Sequence, residues 1–119
     1  MKKILVCILL NSSLFILNCF AQSGWQIIPS GTSVVLQSIH FSDYNNGYAV
    51  GDGGTILKST NGGTTWQNQS IPGLTPLYDV IVFDQNNVVA VGSGGSIFKT
   101  TDGGLNWNYL PQGPVFAYN

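Results

Sequence analysis

Trp25, Trp66 and Trp107 stand 41 residues apart, and the chain between them repeats. Residues 25–65 slide onto 66–106 without a gap and with 16 identities in 41 positions. Leu36/Leu77, Asp43/Asp84, Asn45/Asn86, Gly51/Gly92, Ile56/Ile97, Lys58/Lys99 and Gly62/Gly103 are among them. A period of about 40–45 residues belongs either to a propeller blade or to a pair of helices, so local pattern decides.

Each unit reads as four short strands. Apolar residues alternate through Leu36, Ile39 and Phe41 in one copy and Leu77, Val80 and Val82 in the other, predicting a first strand. Gly47-Tyr-Ala-Val50 and Val88-Val-Ala-Val91 are apolar on both faces, as a strand sandwiched between neighbouring sheets would be. Thr55–Ser59 and Ser96–Thr100 give the third strand, and Thr65-Trp-Gln67 and Asn106-Trp-Asn108 the fourth. The run Gly24-Trp-Gln-Ile28 is expected to be the fourth strand of a preceding or closing blade. No stretch after residue 22 has a helical apolar period. The expected architecture is all-β: two four-stranded antiparallel blades of an incomplete β-propeller. Residues 25–65 and 66–106 are the repeats, and a third begins at Trp107. There Trp107-Asn-Tyr-Leu-Pro-Gln-Gly113 echoes Trp25-Gln-Ile-Ile-Pro-Ser-Gly31. Propellers close with about 4–8 blades, so the chain is expected to be a fragment or to self-associate.

Glycine-rich runs such as Gly51-Asp-Gly-Gly54 often cradle phosphate, but that chemistry needs a helix N-terminus to follow. Here strands follow, so these glycines and Gly92-Ser-Gly-Gly95 are read as turns. Asn61-Gly62 and Asp102-Gly103 are hairpin signals, because a tight turn needs positive φ at residues that tolerate it.

Beyond residue 22 only Lys58 and Lys99 oppose Asp43, Asp52, Asp79, Asp84 and Asp102, a net of 2 − 5 = −3. A nucleic-acid groove needs clustered Lys or Arg, which this chain lacks. The N-terminus MKKILVCILLNSSLFILNCFAQ has the basic pair, apolar stretch and small residue of a secretory signal, with cleavage expected after Ala21. The rivals are a membrane anchor, whose apolar run is short and interrupted by Asn11, Ser12, Ser13 and Asn18, and a lipid anchor through Cys19. Export to the periplasm or the exterior is expected. Cleavage would remove both cysteines and with them any disulfide.

Ser59-Thr-Asn-Gly-Gly-Thr-Thr-Trp66 resembles the Asp-box pattern Ser-x-Asp-x-Gly-x-Thr-Trp, with Asn61 in place of Asp. Thr100-Thr-Asp-Gly-Gly-Leu-Asn-Trp107 keeps Asp102 but has Thr100 for Ser and Asn106 for Thr. Asp-boxes occur in sialidases, sortilin-type receptors and the photosystem II stability/assembly factor-like propellers. The longer phrase from Asn46 to Trp66 is most similar to the last of these, and the resemblance covers residues 25–107. It implies a non-catalytic propeller in which Ser59, Asn61, Gly63, Thr65 and Trp66 stabilise one turn between third and fourth strands. Thr100, Asp102, Gly104 and Trp107 would stabilise the next, away from the ligand face. It implies no catalytic residue, cofactor or metal, and a partner that is a protein or a glycan.

Residues alike in both copies are what every blade needs, so a binding site should use residues found in one copy. Those are His40 (Ile81 in the other copy), Tyr44 (Gln85), Asp52 (Ser93), and Tyr78 and Asp79 (Gln37 and Ser38). Asp52 lies in a loop on the expected ligand side and is the best single candidate, although a solvated turn aspartate is the plainer reading. His40 reads first as a partly buried structural histidine. Asp43-Tyr-Asn-Asn-Gly47 has the start of a calcium loop but lacks its remaining oxygen ligands. The alternative functions are a fragment of a sialidase-like glycoside hydrolase and a surface adhesin. A sialidase holds its substrate carboxylate with arginines and activates its nucleophile through a glutamate, and this chain has no Arg or Glu.

Overall fold

A computed structural model describes residues 25–111. The expected signal at 1–21, Cys19, Gly24 and the end of the third-repeat echo lie outside the described residues. Eight strands follow in order: β1 Leu36–Phe41, β2 Gly47–Gly51, β3 Thr55–Ser59, β4 Gln67–Asn68, β5 Leu77–Val82, β6 Val88–Gly92, β7 Ile97–Thr100 and β8 Asn108–Leu110. They form two four-stranded meanders, β1-β2-β3-β4 and β5-β6-β7-β8, with every neighbouring pair antiparallel. The only helical segments among the described residues are the three-residue 3₁₀ turns Asp52–Gly54 and Ser93–Gly95. Each begins where a glycine-rich loop joins the second strand to the third, and a strand follows it. The glycine run therefore makes a turn.

The two sheets stack face to face, with β5 lying across β1 and β2. Because side chains alternate across a strand, each sheet has a leading face, toward lower residue numbers, and a trailing face. Tyr48, Val50 and Ile56 on the trailing face of the first sheet meet Leu77, Val80, Val82, Ala90 and Phe98 on the leading face of the second. Together with Val88 they form one buried cluster. β2 is buried along its whole length, as the sandwiched reading expects, whereas β6 is buried only at Val88 and Ala90. The trailing face of β6 has no sheet over it among the described residues.

Three local expectations need correction. The fourth strands start one residue past the tryptophans, at Gln67 and Asn108, because the chain is still leaving the turn at Trp66 and Trp107. Residues 25–28 carry no strand. A fourth strand pairs with the third strand of its own blade, and no such partner precedes it among the described residues. In the turns, positive φ falls on the consecutive glycines Gly62 (68°) and Gly63 (85°), and Gly103 (70°) and Gly104 (88°). Asn61 and Asp102 keep negative φ and act through their side chains.

The first-strand partners show how two sequences solve one packing problem. In the first sheet the Phe41 ring lies over Gly47, where a Cβ would come within 2.5 Å of it. In the second, the smaller Val82 faces Val88. Volume moves from one strand to its neighbour and the layer stays filled.

Candidate functional site

The loops divide into two ends. At one end lie the β1–β2 and β3–β4 turns of the first sheet and the β5–β6 and β7–β8 turns of the second. At the other lie the two 3₁₀ turns and the crossing from β4 to β5.

The first end is closed by hydrogen bonds. Ser59 Oγ donates to Asn61 Oδ1 (3.0 Å) and accepts from the Gly63 amide (2.9 Å). Asn61 Oδ1 also accepts from the Thr65 amide (2.9 Å), and Asn61 Nδ2 donates to Thr65 Oγ1 (2.8 Å). In the second turn Thr100 Oγ1 donates to Asp102 Oδ1 (2.8 Å) and accepts from the Gly104 amide (2.9 Å). Asp102 Oδ1 accepts from the Asn106 amide (2.9 Å), and Oδ2 from Asn106 Nδ2 (2.8 Å). The Asn61–Thr65 and Asp102–Asn106 pairs thus make the same link with donor and acceptor exchanged. The Asn106 amide, the Asn106 side chain and Thr100 hold the Asp102 carboxyl down at about 2.

Asp43 and Asp84 are equally occupied. Asp43 accepts from the Asn45 and Asn46 amides (2.7 and 2.9 Å) and from Asn46 Nδ2 on both oxygens. Asp84 repeats the cage with Asn86 and Asn87. The Asn46 and Asn87 side chains come first among the bonds that lower each carboxyl below its ordinary range. These oxygens face their own loops, which is a turn-closing arrangement. The Asn45 and Asn86 carbonyls then accept from the Gly62 and Gly103 amides, lashing the two turns of each sheet together. Tyr44 stands exposed at this end, apart from the other candidates.

The tryptophans depart from the equivalent packing that the repeat suggests. Trp66 meets Phe41 of its own sheet edge-on (5.9 Å, 72°), while Trp107 meets Tyr48 across the seam (6.1 Å, 82°). Both are half-buried. Lys58 also crosses the seam. Its Nζ donates to the Gly103 carbonyl (2.8 Å) and lies 5.7 Å from the Tyr48 ring centroid. Burial, and then the charge of Asp102, push the Tyr48 hydroxyl up to about 12.

The second end gathers most of the residues unique to one copy. Both leading strands carry a β-bulge, between Leu36 and Ser38 and between Leu77 and Asp79, so Gln37 and Tyr78 are the extra residues, re-aimed by the bulge. Gln37 Nε2 donates to Asp52 Oδ1 (3.1 Å). Ser38 Oγ donates to Asp79 Oδ1 (2.6 Å) across the seam, and the Asp79 carboxylate also accepts from the Val80 amide (2.8 Å). Ser38 leads the contributions that lower the Asp79 carboxyl. His40 lies within β1, exposed where the sequence suggests a partly buried position, and its Nδ1 accepts from the Val82 amide (2.8 Å). The histidine is a strut between the sheets. Asp52, Tyr78 and Asp79 therefore share one end of the stack. The Ser38–Asp79 pair, one repeat apart, has a readable signal: the same position in consecutive units, polar in both.

Among the described residues there is no group of three or more His, Cys, Asp or Glu side chains placed to hold a metal ion. What the second end offers is backbone at the exposed edges of β1 and β5, with carboxylates, an amide and a phenol beside it. That combination suits recognition of a polypeptide.

A family model described as photosynthesis system II assembly factor YCF48 matches residues 17–115. The photosystem II assembly protein Ycf48 of Synechococcus sp. (strain JA-2-3B'a(2-13)) is 39% identical over 54 residues, which is 44% of this chain and 16% of that protein. The structure of YCF48 from Cyanidioschyzon merolae superposes with a TM-score of 0.68 at 27% identity, covering 80% of this chain and 32% of the other. A structure of YCF48 bound to D1 peptide gives 0.68 at 26% identity, covering 76% and 31%. The chain thus spans about a sixth of the curated relative and about a third of the solved ones.

Proposed function

The chain belongs to the photosynthesis system II assembly factor YCF48 family, and on that premise we propose that it is a non-catalytic propeller module that binds a polypeptide. The segment would lie along the exposed edges of β1 and β5, at the end that carries Asp52, Tyr78 and Asp79. One observation carries the reading. Three of the one-copy candidates, Asp52, Tyr78 and Asp79, collect at this end, while the opposite end, which carries Tyr44, spends its polar groups on closing its own turns. A similar protein, at 26% identity, has been solved with a D1 peptide bound. Tight turns built from Ser59, Asn61, Gly63, Thr65 and Trp66, and from Thr100, Asp102, Gly104 and Trp107, take the Asp-box role of holding the sheets. The Asp52 and Asp79 carboxylates at the binding end favour a segment that carries a positive charge. Export through a signal cleaved after Ala21 is part of the same proposal.

The test is titration of a fluorescent D1 peptide and its scrambled control against the full chain, followed by anisotropy. Tyr78→Ala and Asp52→Asn should each weaken binding by roughly tenfold if they contact the segment, without moving the unfolding transition. Equal binding of the scrambled peptide would refute selective recognition, and unchanged affinity in both variants would refute the location. Intact mass of the protein recovered from outside the producing cell tests cleavage after Ala21.

A further inference from the structure

Among the described residues, the two sheets cover only two of their four faces. The leading face of the first sheet presents Leu36, Ile39 and Phe41 around a groove of ≈ 510 Å³ that Trp66 also lines. The trailing face of the second presents Val89, Val91 and Ile97, all at least partly exposed. Exposed sheet faces of this kind mark interaction surfaces. Their occupant can be read from the molecule itself, because the seam between the sheets shows what each face accepts. Moved by one repeat, Leu36, Ile39 and Phe41 become Leu77, Val80 and Val82, and Val89, Val91 and Ile97 become Tyr48, Val50 and Ile56. Those six are all buried against one another's sheets.

We propose that the trailing face of the second sheet docks on the leading face of the first sheet of another copy of this chain, repeating the internal seam head to tail. The polar groups of the seam support the same register. Within one chain Lys58 donates to the Gly103 carbonyl; Lys99, its counterpart, is exposed, and so is Gly62, the counterpart of Gly103. In the docked pair Lys99 of one copy meets the Gly62 carbonyl of the next. Ser38 and Asp79 also pair internally, and across copies Asp79 meets Ser38, a hydroxyl and a carboxylate again. Two seam bonds have no equivalent between copies: Ile81 stands at the position of His40, which accepts from the Val82 amide, and Leu110 at the position of Gln69, which donates to the Gly103 carbonyl. Trp25 and Ile27 are fully exposed, while Gln26, Ile28 and Ser30 of the same segment line one side of the groove. Such an interface is heterologous, so it continues through further copies until the stack closes or ends.

Light scattering of the full chain during gel filtration tests this, with two variants that each block one face. Ile39→Asp blocks only the leading face and Val91→Asp only the trailing face. Both positions are exposed in the single chain, so each variant should unfold as the parent does at concentrations too low for association. The parent should form species larger than two copies. Docking needs one intact face of each kind, and each variant offers only one kind, so each alone should be monomeric. A mixture should form pairs, joined through the intact trailing face of Ile39→Asp and the intact leading face of Val91→Asp. Lys99→Ala should weaken parent association by roughly tenfold without moving the unfolding transition, whereas Lys58→Ala should lower that transition. A monomeric parent would overturn the proposal, as would variants that still associate alone or a mixture that stays monomeric. Further repeats on the same polypeptide would cover both faces and give the monomeric outcome.

Discussion

The two sheets share one pattern of apolar positions and meet different fates. Val50 is fully buried and Val91, its counterpart, is 38% exposed; Val80 is 2% exposed and Ile39 is 59%. Chemistry does not distinguish these pairs. What distinguishes them is whether another sheet lies over the face in question. Burial of these pairs follows the seam between repeats, although Ala49 and Leu57 on the leading face of the first sheet are buried without a sheet over them among the described residues.

Substitution at equivalent positions gives the largest test of that asymmetry. Leu77→Ala, in the seam, should cost about 3–4 kcal/mol, whereas Leu36→Ala should cost less than about 1 kcal/mol. Urea unfolding measures both, and equal costs would show that the seam does not govern stability. Next comes a transplant: Gly47→Val places a side chain against the Phe41 ring and should cost about 2–3 kcal/mol. Adding Phe41→Val restores the pair found in the second sheet and should recover most of that loss, a coupling that a double-mutant cycle reads directly. Trp107→Ala should then cost about 2–3 kcal/mol and Trp66→Ala about 1 kcal/mol less, because only Trp107 packs across the seam.

The smallest effect separates the two turns by pH. Asp102 has its carboxyl held at about 2 in the folded chain, below the ordinary value of 3.8. Its contribution is therefore complete above pH 3.8 and is lost as pH falls toward 2. The protection of the Asn106 amide against hydrogen exchange, relative to its intrinsic rate at each pH, should fall in that window while that of the Thr65 amide, bonded to the uncharged Asn61, should not. Asn61→Asp should install the same acid response in the first turn.

The strand order and the two sheets are legible in the sequence because the repeat supplies each strand twice, and an error in one copy is checked by the other. The seam is less legible. A pattern apolar on both faces says that a strand can be sandwiched, but among the described residues β2 and β6 each have a sheet over one face alone. Even so, β2 is buried along its whole length while β6 is buried only at Val88 and Ala90. The separate roles of Trp66 and Trp107 stay hidden for a similar reason: identical residues find Phe41 in one case and Tyr48 in the other. At the candidate site Asp52 can be read from its loop, whereas the bond between His40 and the Val82 amide joins residues 42 apart and depends on how closely the sheets stack.

The exchanged donors and acceptors of the two turns also constrain the order in which such a repeat can change. With Asp at the third position of the turn, a threonine hydroxyl or an asparagine amide at the seventh can donate to the carboxylate. With Asn at the third, its amide needs an acceptor, which a threonine hydroxyl supplies as it stands and a second asparagine supplies once its side-chain amide turns over to present Oδ1. Asp–Thr is thus a crossroads from which Asn61–Thr65 and Asp102–Asn106 are each one substitution away, in opposite directions. A route from one copy's turn to the other's is open through Asp–Thr with every group as it stands, and through Asn–Asn only after one amide has turned over. The unit inherited from repeat to repeat is a pattern of bonds, and the letters that spell it are free to differ.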